Sequence, residues 1–383
     1  MQGKMQTKIY GTIGPACQET DTLVRLFEKG MTGVRINLSH SNLAEAAEWL
    51  ENIQSAYQSG CKEDTPEILM DLRGPELRIG KIIMPRKLEE GDGITLAVEG
   101  YHNLLDPTEI SVPALVMKHL KPGQEVLLDD GKLQLVVEEL FSRVGVPIGS
   151  DVQAESTSEE DCKSMAGSDG VGPKFASEES CNYMAECRVL RGGILKGGKS
   201  IALPGVALYP PTLTESDLVN IRVAKKYGIT GVMLPFVRGK EDLQNLKQAL
   251  EEADAADIRV FAKIENLDGV EKLPELLPYC DEIVIARGDL GNAMPLWELP
   301  VVQEQIAAAC RTAGKPFMVV TQMLASMEQA AVPTRAEVSD IFRAVQQGSA
   351  SVMLTGETAA GKYPVEAMEY MVNTVRAAER YIG

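Results

Sequence analysis

The stretches RVFAKIEN (residues 259–266) and EIVIARGDLG (residues 282–291) decide the fold of this sequence. Each is a short apolar run that ends in charged residues. Such runs are typical of buried parallel strands, so the charged side chains are expected where a strand ends and a loop begins. Side chains alternate along a strand with a period of two, which predicts Lys263 and Glu265 on the same side. Asp289 should lie at the end of the next strand.

A lysine beside two carboxylates can hold a divalent cation and an anionic substrate together. This arrangement favours phosphoryl transfer or enolate chemistry over a structural core. Glu265 and Asp289 are oxygen donors of the kind that suits Mg²⁺ or Mn²⁺. The alternative is that they form ion pairs with Lys263 or Arg287.

Eight β-rich runs can be counted, and nearly every one is followed by an amphipathic helical segment. The runs are 8–14, 34–39, 67–72, 231–236, 259–266, 282–287, 317–322 and 351–356. Alternation of strand and helix indicates parallel pairing with right-handed crossovers. Eight such units predict an α/β fold of the (β/α)8 TIM barrel type rather than an open sheet.

The regular spacing is interrupted once, between the third and fourth runs. The intervening sequence has strand-like alternation and many turn signals, such as EGDG at 90–93 and KPG at 121–123. We interpret it as a small all-β lid domain inserted after the third strand. The predicted domains are therefore 1–79 with 207–383 for the catalytic barrel and 80–206 for the insert. Within the insert, 142–182 is rich in Ser, Gly, Asp and Glu and is predicted to be a flexible excursion.

The 383 residues include 38 Lys and Arg against 55 Asp and Glu, a formal charge of −17. An acidic protein does not favour nucleic acid or anionic membrane surfaces as partners. The amino-terminal residues have no apolar signal-peptide core, and no stretch approaches ~18 uninterrupted apolar residues. Seven scattered cysteines without a C-x-x-C pair do not suggest a disulfide framework. We therefore expect a cytoplasmic protein.

In a barrel, the loops that follow the strands build the active site. Asn37, Ser39 and Asp71 would offer oxygen atoms close together, which suits either K⁺ or a hydrogen-bonded cluster of strand ends. Lys263 and Arg35 could neutralise a phosphoryl group during its transfer. The segment 288–291 is predicted to be a tight turn into a helix, whose backbone N–H groups could receive a carboxylate or phosphate oxygen.

Many motifs resemble those of pyruvate kinases, in the same order along nearly the whole chain. They are TKIYGTIGPA (7–16), GMTGVRINLSH (30–40), DLRGPELR (71–78), LDDG (128–131), KSIALPG (199–205), KIEN (263–266), ARGDLG (286–291), TQML (321–324), PTRAE (333–337) and LTGETA (354–359). The resemblance implies a glycolytic phosphotransferase. Such an enzyme moves the phosphoryl group of phosphoenolpyruvate to ADP, giving ATP and pyruvate, and depends on Mg²⁺ (or Mn²⁺) and K⁺.

The resemblance also implies roles for residues that bind phosphoenolpyruvate. Glu265 and Asp289 resemble the ligands of the divalent metal. Lys263 resembles the lysine that stabilises the transferring phosphoryl group, and Arg35 and Arg78 resemble its cationic partners. The substrate carboxylate would be bound by Gly288, Asp289 and Thr321, and Thr321 would also lie near the path that protonates the enolate.

Two further sets of roles follow from the same resemblance. Asn37, Ser39, Asp71 and the backbone carbonyl of Leu72 resemble the K⁺ site, and Glu76 resembles the residue associated with K⁺ dependence. The residues implied in nucleotide binding are His40, Asp129, Asp130 and Lys199.

Pyruvate kinases usually carry a further carboxy-terminal domain with allosteric sites, whereas this sequence ends at Gly383, with the last predicted barrel helix. We therefore expect a short form, assembled as a homo-oligomer through the barrel. Two alternatives stay open. One is a metal-dependent enolate lyase or decarboxylase acting on a pyruvate-like acid, and the other is a non-catalytic pyruvate kinase paralogue.

Overall fold

The computed structural model describes residues 6–39, 41–59, 66–75, 77–98, 106, 108–129, 131–142, 183–206, 208 and 210–383. The chain divides into two compact units. The first is Met1–Pro75 with Pro211–Gly383, and the second is Glu76–Pro210. The domain boundaries proposed from the sequence, at 79/80 and 206/207, stay a prediction.

The first unit is a closed barrel of parallel strands. Its strands are β1 (Lys8–Thr12), β2 (Gly33–Asn37), β3 (Glu67–Asp71), β12 (Gly231–Leu234), β13 (Arg259–Ile264), β14 (Glu282–Ala286), β15 (Phe317–Val320) and β16 (Ser351–Leu354). The barrel closes where β1 pairs with β16, and β3 pairs directly with β12. The predicted (β/α)8 barrel is confirmed, with strands that end one to two residues earlier than the apolar runs.

Helices follow the strands of the barrel unit. They are α1 (Thr20–Lys29), α2 (Ala47–Ser59), α4 (Glu215–Val223), α5 (Lys240–Glu252), α6 (Leu267–Glu271), α7 (Leu273–Leu276), α8 (Arg287–Asn292), α9 (Leu299–Thr312), α10 (Arg335–Gln346), α11 (Gly356–Ala359) and α12 (Pro364–Ile382). Short 3₁₀ turns occupy Lys225–Tyr227, Leu277–Tyr279 and Ala325–Glu328. Among the residues described, no helix has both the length and the apolar character that a bilayer crossing requires.

Helix α1 illustrates how sequence and packing agree. Its buried residues Leu23, Leu26 and Phe27 recur at helical spacing, so one face packs on the barrel. The helix ends at Gly30, whose φ of 118° is favoured by glycine. The following amide, Met31 N, donates back to Leu26 O at 3.1 Å, which satisfies a carbonyl of the last turn.

Side chains inside the barrel are arranged in layers. An apolar cluster that includes Tyr10, Leu69 and Phe261 fills the middle. Strand periodicity then places residues two positions away on the same inner face. Two positions earlier, Arg259 Nη2 lies 3.0 Å from Glu282 Oε2 near the amino-terminal ends of the strands. Two positions after Leu69 and Phe261 come Asp71 and Lys263, so these side chains point inward at the carboxyl ends.

The second unit is built mostly on antiparallel strands, with a parallel pair, β5 (Gly93–Val98) with β6 (Glu109–Val112), and a short helix α3 (Ala114–Met117). Its strands are β4 (Arg86–Leu88), β5 (Gly93–Val98), β6 (Glu109–Val112), β7 (Glu125–Leu128), β8 (Leu133–Ser142), β9 (Tyr183–Arg191), β10 (Gly193–Leu195) and β11 (Ile201–Ala202). One sheet has the order β11-β7-β8-β9-β5-β6, and β10 pairs with β4. The unit has its own core, which includes Leu96, Val126 and Leu135. Most of the predicted excursion at 142–182 lies outside the described residues.

Candidate active site

A buried charge cluster lies at the carboxyl ends of β2, β3 and β13. Lys263 Nζ is 3.0 Å from Glu265 Oε1 and 3.2 Å from Asp71 Oδ2. Arg35 binds the same carboxylate oxygen of Asp71 through Nε at 2.8 Å and Nη2 at 2.6 Å. The expectation that Lys263 and Glu265 share one side of their strand agrees with this geometry. The cluster also contains Asp71 and Arg35, which the sequence placed only at the ends of other strands.

The electrostatics of the cluster keep its lysine positive. Burial by itself would lower the pKa of Lys263, but the carboxylates of Asp71 and Glu265 outweigh this effect and raise it. Burial also opposes ionisation of Asp71, yet Lys263 and Arg35 lower the pKa of that carboxyl. Lys263 is therefore protonated and positively charged near neutral pH.

Glu265 behaves differently from Asp71. It is 3 % exposed, and burial raises its pKa, with further increases from the negative charges of Asp289 and Asp71. Lys263 and the amide of Phe236, whose N lies 2.8 Å from Oε2, offset part of this effect. Burial is thus the main reason that the charged form of Glu265 is disfavoured, and a cation bound beside this carboxylate would offset that cost.

The donor set fits a divalent cation of the Mg²⁺ type. Glu265 and Asp289 follow adjacent strands, and their charges interact. Mg²⁺ is commonly held by one or two carboxylates together with substrate oxygens and water. In the described part of the chain, no group of three or more His, Cys, Asp or Glu side chains could hold a metal ion. A site of two carboxylates completed by the substrate is compatible with that finding.

The segment at 288–291 corrects the sequence interpretation. A tight turn leading into a helix was expected, but the helix α8 begins at Arg287 itself, directly after β14. Ala286 is both the last residue of β14 and the N-cap of the helix, so no separate turn lies between them. Gly288 lies against Thr321, since a Cβ built on this glycine would be 3.0 Å from Thr321 Cγ2. The structure thus brings together two residues implied in binding the substrate carboxylate.

Thr321 has an unusual backbone. Its φ is 74° and that of Gln322 is 55°, so two successive residues other than glycine adopt the left-handed region. For a β-branched residue this conformation is strained, at a cost of about 1–3 kcal/mol. Arg287 contacts this segment, because its Nη2 donates to Thr321 O at 2.7 Å. The sequence did not predict this contact, because an arginine at the end of a strand can bind many different carbonyl or carboxylate groups.

The residues of the proposed K⁺ site come together only in part. Asn37 and Asp71 are register partners at the ends of β2 and β3. Asn37 Oδ1 accepts a hydrogen bond from Ser39 N at 3.1 Å. The amide of Leu72 donates to Met233 O at 3.1 Å. Because Asp71 is already bound to Arg35 and Lys263, the hydrogen-bonded alternative describes part of this cluster.

The remaining candidate residues belong to the second unit or lie outside the description. Asp129 Oδ1 is 2.8 Å from Lys199 Nζ, and this contact, despite some opposing desolvation, lowers the pKa of Asp129. Arg78 Nη1 donates to Gly198 O at 2.7 Å. His40, Glu76 and Asp130 are outside the described residues.

Comparison with known proteins identifies the family. The model of the pyruvate kinase barrel domain matches residues 4–163 and 169–368. A pyruvate kinase of Geobacillus stearothermophilus is 34% identical over 369 residues, covering 96% of this chain and 56% of that protein. A pyruvate kinase of Thermococcus litoralis is also 34% identical, over 98% of this chain and 70% of its own length.

A third relative extends the same pattern. The pyruvate kinase of Bacillus licheniformis is 34% identical over 99% of this chain and 58% of its own length. This chain therefore spans little more than half the length of several curated relatives that it matches. The matched barrel model and the level of identity agree with the closed barrel, and on these grounds the chain belongs to the pyruvate kinase family.

Proposed function

We propose that the chain transfers the phosphoryl group of phosphoenolpyruvate to ADP, giving pyruvate and ATP, with Mg²⁺ (or Mn²⁺) and K⁺ as cofactors. Family membership supports the reaction, and the buried cluster around Lys263 supports the chemistry. The observation that carries the proposal is the position of Lys263 Nζ between the carboxylates of Asp71 and Glu265. A fixed cation in a water-poor site stabilises developing negative charge strongly.

Lys263 and Arg35 act on the phosphoryl group in this proposal. Both are held in place by Asp71 before any substrate arrives, so little reorganisation is required. In the proposed complex, the phosphoryl oxygens would take over part of the interaction with Lys263 and Arg35 that Asp71 makes in this structure. Because the pKa of Lys263 is raised, the lysine keeps its proton throughout and contributes charge alone.

Glu265 and Asp289 would hold the divalent cation. When bound, this ion supplies charge neutralisation and fixes the orientation of the substrate oxygens. The raised pKa of Glu265 supports this assignment, because a bound cation would stabilise the charged form that burial disfavours. K⁺ would bind Asn37, Ser39, Asp71 and the carbonyl of Leu72, with Glu76 as the residue that makes K⁺ necessary.

The substrate carboxylate would bind the amides of Gly288 and Asp289 and the hydroxyl of Thr321. The contact between Gly288 and the Thr321 side chain supports a shared role. Thr321 would also lie on the path by which a proton reaches the enolate carbon, completing pyruvate.

The second unit would bind the nucleotide. His40 would contribute from the barrel sequence, and Asp129, Asp130 and Lys199 from the insert, with Arg78 as a further cation for the phosphoryl group. The domain division at 79/80 and 206/207 belongs to this proposal, with 80–206 acting as a lid. Closure of a lid excludes water and limits wasteful hydrolysis.

Two rivals predict different behaviour. A lyase or decarboxylase would use the metal and enolate half of the site without a nucleotide. The presence of Arg35, Arg78 and Lys199 disfavours it, because enolate chemistry alone does not require them. A non-catalytic paralogue would bind phosphoenolpyruvate and metal without turnover, which the complete set of barrel residues disfavours.

The test is a coupled assay of pyruvate formation from phosphoenolpyruvate and ADP, with Mg²⁺, in the presence and absence of K⁺. We expect ADP-dependent activity that K⁺ strongly increases. Lys263→Met should lower kcat by about 10²–10³-fold, because it removes one preorganised charge. The exposed Lys272 of the same unit provides a matched control, and Lys272→Met should leave the rate unchanged.

Each alternative result has a clear meaning. Oxaloacetate decarboxylation without ADP-dependent turnover would replace the kinase proposal with the lyase. Binding of phosphoenolpyruvate and Mg²⁺ without any turnover would favour the paralogue. A rate indifferent to monovalent cations would refute the K⁺ site alone.

A further inference from the structure

Arg287 contacts the backbone of the loop that follows β15. Its Nε lies 3.2 Å from Thr321 O and 3.3 Å from Val320 O, and its Nη2 lies 2.7 Å from Thr321 O. The same Nη2 is 3.0 Å from Met323 Sδ. The guanidinium group is thus a rigid fork directed at successive residues of one short segment.

The acidic residue Asp340 fixes this arginine from the opposite side. Asp340 Oδ2 accepts from Arg287 Nη1 at 2.5 Å, and the Arg287 side chain is only 11% exposed. Asp340 lies on α10 and Arg287 is the first residue of α8, so two separate elements meet at the guanidinium. The orientation of Arg287 is therefore determined by the fold and does not require a ligand.

The segment that Arg287 contacts is the strained one. Thr321 and Gln322 both have a positive φ, and such conformations persist only where the surrounding contacts impose them. The far end of the segment is held independently, because Leu324 N donates to the buried carboxylate of Glu357 at 2.9 Å. Contacts at both ends thus define the path of residues 321–324.

We propose that Arg287, oriented by Asp340, is a positioning residue that holds Thr321 in its left-handed backbone conformation and so directs the Thr321 side chain at the substrate. The activity part of this inference rests on the proposed function, whereas the conformational part does not. Arg287 needs no contact with substrate in this role. It acts through Thr321, whose side chain lies against Gly288.

The conformational test measures amide hydrogen exchange in a peptide covering residues 321–324. Arg287→Gln should speed exchange of this peptide, while peptides from β13 keep their protection. Arg311 offers a matched control, because it also donates to a backbone carbonyl, Gln347 O at 2.6 Å, and to a carboxylate, Glu304. Arg311→Gln should leave exchange at 321–324 unchanged. Unchanged exchange in Arg287→Gln would overturn the proposal, even if the protein proved to have no kinase activity.

The kinetic test uses a double-mutant cycle. In the wild type, Arg287→Gln should lower kcat by about 10²-fold, since a displacement of ~1 Å can cost this much. The KM for ADP should change little, and Arg287→Lys should recover part of the rate. Glycine adopts a positive φ without strain, so in a Thr321→Gly background the same Arg287 change should cost far less.

Additive effects in that cycle would overturn the positioning role and leave Arg287 as a structural residue only. A wild type without kinase activity would remove the kinetic arm, and the exchange experiment would then decide. Asp340→Asn should also speed amide exchange at 321–324, but less than Arg287→Gln does. Exchange equal to that of the wild type would overturn the orienting role of Asp340.

Discussion

At the scale of a residue, Asp242 shows how one carboxylate fastens a helix to its surroundings. It accepts hydrogen bonds from Arg238 N at 2.9 Å, Arg238 Nη2 at 2.7 Å and Thr212 Oγ1 at 2.6 Å. Burial alone would raise the pKa of Asp242, but these donors outweigh it and lower the pKa. The charged form is therefore stabilised by folding.

Asp242→Asn should lower the free energy of unfolding by about 3 kcal/mol at pH 7, because the mostly buried Arg238 loses the negative charge of this carboxylate. The wild-type advantage is fully present above the unfolded pKa of about 3.9 and is lost as pH falls through the lower folded pKa. Urea unfolding at pH 7 and at pH 3 measures this difference. The exposed neighbour serves as control, and Glu241→Gln should change stability by about 0.5 kcal/mol or less. An equal loss at both pH values would contradict the argument.

Residues of the site differ in how well the sequence predicts them. Lys263 and Glu265 could be paired because strand periodicity is local and rigid. Asp71 and Arg35 could be placed at strand ends, but their mutual contact depends on the pairing of β2 with β3. The positive φ of Thr321 could not be predicted, since threonine disfavours it and the contact with Arg287 that supports it is tertiary.

At the scale of an element, helix α4 begins with a capping box that also has a distant role. Asp217 accepts from Thr214 N at 2.9 Å and from Thr214 Oγ1 at 2.7 Å. It also accepts from Arg73 N at 2.9 Å and from Gly74 N at 3.2 Å, just after β3. One buried carboxylate thus joins the start of a helix to the end of a strand that lies far away in the sequence.

Asp217→Ala should lower the free energy of unfolding by about 3 kcal/mol or more, because several donors in buried or part-buried positions lose a carboxylate acceptor. Thr334 caps α10 in an equivalent box, and Thr334→Ala should cost only about 1 kcal/mol. Chemical denaturation of both variants gives the comparison. Equal losses would mean that Asp217 acts as a helix cap alone.

The capping boxes at 214–217 and 334–337 are visible in the sequence, because a cap and its partner are three residues apart. The bonds from Asp217 to Arg73 and Gly74 are not visible, because they join residues more than 140 positions apart. Helix ends were accordingly easier to predict than the contacts that hold them.

At the scale of the whole molecule, the two units have separate hydrophobic cores. Cys17, Cys280 and Cys310 are buried in the barrel unit, and Cys187 is buried in the second unit. Burial raises the pKa of Cys17 and Cys280 to about 11 and that of Cys187 and Cys310 to about 12. In the folded protein these thiols remain protonated and unreactive near pH 8.

Pulsed alkylation at increasing urea should therefore report each core separately. Cys187 should become reactive at a urea concentration different from that of Cys17, Cys280 and Cys310, which should respond together. Mass spectrometry of tryptic peptides identifies the modified residue. A Cys187→Ser variant, in which the three barrel thiols keep their midpoint, is the control. A single midpoint for all four thiols would show that the units unfold as one.

The eight strands of the barrel and its insertion were predictable, because alternating strands and helices allow few other topologies. The order of strands in the second unit was not, since antiparallel pairing such as β5 with β9 joins segments from distant parts of the chain.

The pairing of Leu69 with Gly231 has a consequence for how this protein can change. Strands β3 and β12 are neighbours in the barrel, although the second unit lies between them in the sequence. The register pairs between these two strands are formed by residues of the barrel unit. The entropic cost of closing a loop between two strands grows only slowly with the length of the inserted segment. Natural variation or deliberate grafting can therefore exchange the inserted unit while leaving the barrel strands paired as they are.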